Sequence, residues 1–167
     1  MVGRAYDPLT REHLDRLVEL AEQDRVGLFA RRKHLAPFAD RILSVALCQG
    51  GALHYVDGRN GIKDLDVWTL YAALPRVTYP YRRRGTLDDC DMPGLVGWAR
   101  HIDFLGRSLP FKVGTDPASV WRSYLSQPKS RTASLLADKA VVLLVPKSRR
   151  GEVVWGSQDV GHIRRTK

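Results

Sequence analysis

The tightest constraint on the fold lies between Leu43 and Ala72. The run Leu43 to Cys48 is short and apolar, ends just before Gly50-Gly51, and suits a buried strand. Ala52 to Val56 fits one or two helical turns, and Asp57-Gly58-Arg59-Asn60-Gly61 is loop chemistry. Ile62 to Ala72 then reads as a second strand, carrying Asp64 and Asp66 interleaved with Leu65 and Val67. Side chains on a strand alternate between faces, so the two carboxylates are expected on one side and the two apolar residues on the other. Carboxylates held side by side repel unless a cation neutralises them. Hard oxygen donors of this kind suit Mg²⁺ or Mn²⁺, with substrate phosphates completing the coordination. Gly50 and Gly51 would let a phosphate chain approach the backbone closely.

The remaining chain supplies partners for these strands. Asp7 or Thr10 is expected to cap a helix reaching about Gln23, with Leu14, Leu17, Val18 and Ala21 at helical spacing. A second helix is expected from about Arg31 to Ile42. Leu74 to Gly94 holds three prolines, the run Arg82-Arg83-Arg84 and the acids Asp88, Asp89 and Asp91, and reads as a long irregular connection. Ala99 to Leu109 is a third strand. Pro117 to Leu125 and Arg131 to Lys139 read as helices, Ala140 to Val145 as a strand ended by Pro146, and Val153 to Trp155 as a last short strand. The expected fold is α/β of the α+β kind. It is a single domain over residues 1–155, with a small mixed sheet packed with helices on one side and a basic, frayed tail over 156–167.

The chain has 27 basic and 18 acidic residues in 167, a net charge of +9 and a pI near 9.9. That balance favours polyanionic partners such as nucleotides, RNA or DNA, although an ordinary basic domain has the same balance. Arg82, Arg83 and Arg84 are the best candidates for a nucleic-acid backbone contact, with Tyr79 and Tyr81 either stacking on bases or packed inside. Arg31-Arg32-Lys33 and Arg164-Arg165-Lys167 carry the same ambiguity. No apolar run approaches the roughly 20 residues that cross a bilayer, and the N-terminus lacks the apolar core of a secretion signal. Cys48 and Cys90 give no disulfide framework. A cytoplasmic location without membrane contact is the expectation.

A third carboxylate completes the pattern. In His101-Ile102-Asp103-Phe104, the apolar pair would face the core and leave Asp103 on the other face, with His101 either beside it or a surface histidine. If this strand lies beside the one with Asp64 and Asp66, three carboxylates converge.

With these residues in order, the chain resembles the nucleotidyltransferase superfamily of polymerase-beta-like fold, and in flavour its small bacterial toxin and defence members. The resemblance rests on Gly50-Gly51, Asp64-Leu65-Asp66 and Asp103, and covers roughly Leu43 to Leu109. It implies transfer of a nucleoside monophosphate from a nucleoside triphosphate to a hydroxyl of RNA, tRNA included, or of protein. It also implies that Asp64, Asp66 and Asp103 are the catalytic and metal-binding set, for Mg²⁺ or Mn²⁺. Gly50 and Gly51 would offer backbone N–H groups to the triphosphate, which Arg59 and Lys63 would help neutralise. Family members often carry Ser or Thr two residues before the first acid, where this chain has Ile62. That departure favours the alternative: a catalytically inactive nucleotide- or nucleic-acid-binding module, or a toxin–antitoxin subunit with a partner protein.

Overall fold

The computed structural model describes residues 3–80, 84–88, 90–98 and 100–156, and shows a mixed α+β fold. Helix α1 (Arg11–Arg31) and a 3-10 segment (Lys33–Asp40) precede strand β1 (Ile42–Cys48). Helix α2 (Gln49–Asp57), strands β2 (Leu65–Ala72), β3 (Arg84–Leu87) and β4 (Ile102–Leu109), and helices α3 (Pro117–Ser126) and α4 (Arg131–Ala137) follow. Strands β5 (Ala140–Val145) and β6 (Val153–Trp155) close the order.

The six strands form one sheet in the order β3-β4-β2-β1-β5-β6. Among the described residues, only β2 and β4 pair in parallel, and the other strand pairings are antiparallel. The two faces belong to two cores. Val45, Leu47, Leu65, Val67, Ile102, Phe104, Ala140, Val142 and Leu144 pack with α1 and α2 residues such as Leu14, Leu17 and Ala52. Ala46, Cys48, Trp68, Leu70, Leu109, Val141 and Leu143 pack with Val120, Trp121 and Leu125 of α3 and Leu136 of α4.

Helices therefore cover both faces, where the sequence reading expected one. The reason is in the strands: β1 and β5 are apolar at nearly every position, so each has two faces to bury. Trp121 Nε1 donates to Ser44 Oγ at 3.0 Å, which satisfies the one hydroxyl in β1 and locks α3 to the sheet.

Other boundaries differ for physical reasons. Thr10 caps α1 in a capping box with His13. The helix runs to Arg31 because Leu28 continues the buried stripe while the polar stretch before it faces outward. The segment after it is 3-10, with Pro37 lacking the N–H a helix interior needs. Ile62 makes an isolated bridge to Ala5, so β2 starts at Leu65. The connection after β2 contains the short strand β3, whose polar sequence gave no strand signal. Phe38, Tyr71 and Tyr79 form a third small core, with Tyr71 and Tyr79 stacked at 4.8 Å. Tyr79 is thus packed rather than free to stack on bases. Arg82, Arg83, Tyr81 and the tail 157–167 lie outside the described residues. No helix among the described residues is long and apolar enough to cross a membrane.

Candidate functional site

The antiparallel β1 and the parallel pair β2 and β4 bring their chemistry to one end of the sheet. The register places Asp66 opposite Asp103, with Leu65 opposite Ile102 and Val67 opposite Phe104. Residues opposite one another on neighbouring strands point the same way, with backbones about 4.8 Å apart. Leu65, Val67, Ile102 and Phe104 fill the α1/α2 core. Asp66 and Asp103 accordingly project to the other face, as alternation predicts. Asp64 is half-buried and stands just before β2, two residues from Asp66.

On the other side of Asp66, β1 presents Cys48 in direct register. Burial pushes its thiol well above the usual range, and the nearby Asp66 carboxylate pushes in the same direction. Cys48 is a buried thiol in the wall of the site, and Cys90 is buried elsewhere.

Asp103 is wholly buried. Its Oδ1 accepts from Thr86 Oγ1 at 3.0 Å and from His101 Nε2 at 2.9 Å. Thr86 reaches it because β3 pairs Thr86 with Asp103 across the edge of the sheet. His101 Nδ1 lies 2.7 Å from Asp88 Oδ1. With a carboxylate at each nitrogen, the imidazole fills both positions as a donor only when protonated. Its pKa is raised, first by the hydrogen bond to Asp88 and further by the charge of Asp103, against the opposing effect of burial. A buried carboxylate held by an imidazole nitrogen and a hydroxyl is fixed in orientation.

The glycine pair follows β1 directly. Gln49 has a positive φ of 55° and opens α2, so the chain turns sharply from strand to helix. The two glycines have different reasons to be glycine. A Cβ on Gly51 would lie 2.7 Å from Leu65 Cδ2 and 3.2 Å from Leu47 Cδ1, so Gly51 lets α2 settle onto the sheet. A Cβ on Gly50 would meet only Lys139 Nζ, at 4.0 Å. Gly50 thus leaves open space at the head of α2, beside a cation. Lys139 is delivered there because Gln49 bridges to Ala140 at the start of β5.

The other predicted residues are distributed unevenly. Lys63 is exposed, immediately before Asp64. Arg59 is exposed past the far end of α2, where its backbone N–H donates to Asp57 Oδ1. That is about 13 Å from Gly50 by helix rise. The backbone of Arg84 opens β3 opposite Leu105. Among the described residues, no group of three or more His, Cys, Asp or Glu is gathered in a metal-binding cluster.

Sequence reasoning missed Thr86 and the part played by Asp88, because β3 was not foreseen. It noted His101 without assigning it to the site, and placed Lys139 only at the end of a helix. For His101 the available signal was its spacing, two residues before Asp103 on the same strand face.

Compared with known proteins, the chain matches no family model and no curated sequence.

Proposed function

We propose that this chain is a divalent-metal-dependent nucleotidyltransferase, acting in a reducing compartment such as the cytoplasm. It would transfer a nucleoside monophosphate from a triphosphate to a hydroxyl of RNA or protein. The observation that supports this reading most is the register of Asp66 with Asp103, on parallel neighbours, at the sheet end where Gly50 and Gly51 open α2. Two in-register carboxylates facing one way, with Asp64 just before them, are an arrangement that a hard cation relieves.

Asp64, Asp66 and Asp103 would hold Mg²⁺ or Mn²⁺. The donor chemistry fits, being all carboxylate oxygen, and substrate phosphates would complete a set that the side chains alone do not gather. When bound, the metal would neutralise charge on the phosphates and lower the pKa of the acceptor hydroxyl. Gly50 and the N–H groups at the head of α2 would receive the phosphate chain. Lys139 joins Lys63 as a cation for it, and is better placed than Arg59. His101 and Thr86 fix the Asp103 carboxylate. Chemistry of this kind depends on positioning and charge more than on a covalent intermediate.

A second reading is a binding module that has lost catalysis. It is favoured by Ile62, a wholly buried apolar residue that offers no hydroxyl to a triphosphate. The transferase reading and the nucleotide-binding form of the second require nucleotide binding at the carboxylates. Mg²⁺ with a nucleoside triphosphate should raise the melting temperature by several degrees, since a ligand at about a hundredfold over Kd adds ~2.7 kcal/mol. Asp64→Asn with Asp66→Asn should abolish that rise. A rise that persists in the double variant places the nucleotide elsewhere and sinks the transferase reading together with the nucleotide-binding form of the second.

A further inference from the structure

A second concave region lies on the same sheet face as Asp66 and Asp103, farther along β4. Alternation puts Asp103, Leu105, Arg107 and Leu109 on one side of that strand. Leu105 and Leu109 pack into the core under α3 and α4. Arg107 lies between them, with its guanidinium carbon 5.7 Å from the centroid of the Tyr124 ring. Around this pair is a cavity of about 350 Å³, lined also by Phe111, Ser123, Gln127 and Lys129. Among the described residues, its lining includes two cations and two aromatic rings, and no acidic side chain. Cavities of this size admit a small planar ligand. Aromatic faces beside guanidinium and ammonium groups suit a ligand that is flat at one end and anionic at the other, which describes a nucleotide.

The position selects which nucleotide. Four residues of strand separate Asp103 from Arg107, about 13 Å. The cavity lies on β4, on one side of Asp66. Gly50 and Lys139 lie on the opposite side, with β1 and β5. A triphosphate seated at Gly50 would therefore extend away from the cavity, and a chain whose terminal hydroxyl reached Asp103 would extend toward it. We propose that the cavity between β4 and α3 holds a nucleotide of a single-stranded RNA acceptor. The base stacks on Tyr124, and Arg107 and Lys129 meet the phosphate. This rests on the transferase reading and decides within it for RNA over protein as the acceptor.

The test measures binding of a short fluorescein-labelled oligoadenylate, at several salt concentrations, to the parent, Tyr124→Leu, Arg107→Gln and Lys129→Ala proteins. The Mg²⁺–triphosphate melting shift is read on the same samples. Tyr124→Leu should weaken the oligonucleotide roughly tenfold, as loss of one stacking platform does. Arg107→Gln and Lys129→Ala should each weaken it severalfold and flatten the salt slope by about one unit. All three should keep the triphosphate shift. Lys129 is exposed, so its variant tests the proposal even if the half-buried Tyr124 variant fails to fold. Oligonucleotide affinity and salt slope equal to the parent in the Arg107 and Lys129 variants would overturn the proposal and return the acceptor to protein. If no protein, parent included, responds to Mg²⁺ and triphosphate while oligoadenylate still depends on these residues, the RNA site stands and the transferase reading falls.

Discussion

The two faces of the sheet differ in one respect that organises the molecule. The face under α1 and α2 presents Val45, Leu47, Leu65, Val67, Ile102 and Phe104 with alternate residues of β5, and among the described residues its strands bury no carboxylate there. The face under α3 and α4 is apolar only in its middle. It gives way to Asp66 and Asp103 at one end and to Arg107 beside Tyr124 toward the other. A face whose buried strand residues are nearly all apolar is explained by stability alone, because removing apolar surface from water is favourable. A face that buries a carboxylate completely, as this one buries Asp103, carries a cost that packing does not explain. Stability and chemistry are thus divided between the two sides of the same strands.

The largest expected effect tests that division on the paired strands β4 and β2, with one residue from each face. Phe104→Ala should destabilise by about 3–5 kcal/mol, because it empties a packed aromatic site in the core under α1 and α2. Asp66→Asn should change stability little in denaturant titration while removing the metal response. If the two substitutions cost alike, the division fails.

The glycine pair sharpens the comparison at the next scale. Gly51→Ala should cost about 1–3 kcal/mol through collision with Leu65 and Leu47. Gly50→Ala has room and should leave the melting temperature within a few degrees, while weakening triphosphate binding. Equal thermal loss in both would show that Gly50 also serves packing.

Thr86→Val keeps the shape of β3 but removes a donor from the buried Asp103 carboxylate. It should cost about 1–3 kcal/mol, by urea unfolding, with His101 left as a partner. A neutral result would show that Asp103 relies on His101 alone.

The smallest effect is in acid. Asp15 is depressed mainly by Arg150, Asp116 by the N–H and hydroxyl of Ser119 and by Arg149, and Glu152 by Arg149. Carboxylates with a lowered folded pKa bind fewer protons folded than unfolded. Their contribution is present above the unfolded values, near 3.8 to 4.5, and fades as pH falls through the folded ones. These groups are largely exposed, so the effect is modest. Arg149→Gln should make the acid side of the melting-temperature profile shallower between about pH 5 and 2. An unchanged profile would remove this cluster as a source of acid sensitivity.

The uneven legibility of the sequence has the same physical origin. Strands buried on both sides announce themselves, as SVALC and AVVLLV do, and the Asp64-Leu65-Asp66 alternation marks β2 without help from tertiary structure. Thr10 and Ser130 mark helix starts as caps should. The connection from Leu74 to Arg100 was not legible, because β3 exists only by pairing with β4, and its RGTL sequence has no apolar period of its own. Thr86 and Asp88 reach the site through that pairing. Lys139 reaches Gly50 through a bridge between residues about ninety positions apart, which no local pattern encodes. The cavity beside Arg107 depends on where α3 crosses the sheet, which the helix's own stripe of Val120, Trp121 and Tyr124 leaves open.

The central claim is that the carboxylates at the end of β2 and β4 support nucleotide transfer. Incubating the protein with each α-phosphate-labelled nucleoside triphosphate, Mg²⁺ and total cellular RNA tests it most directly. The account predicts label in RNA with the parent, and none with Asp66→Asn or Asp103→Asn proteins that melt as folded species. Label transferred equally well by those variants would contradict it.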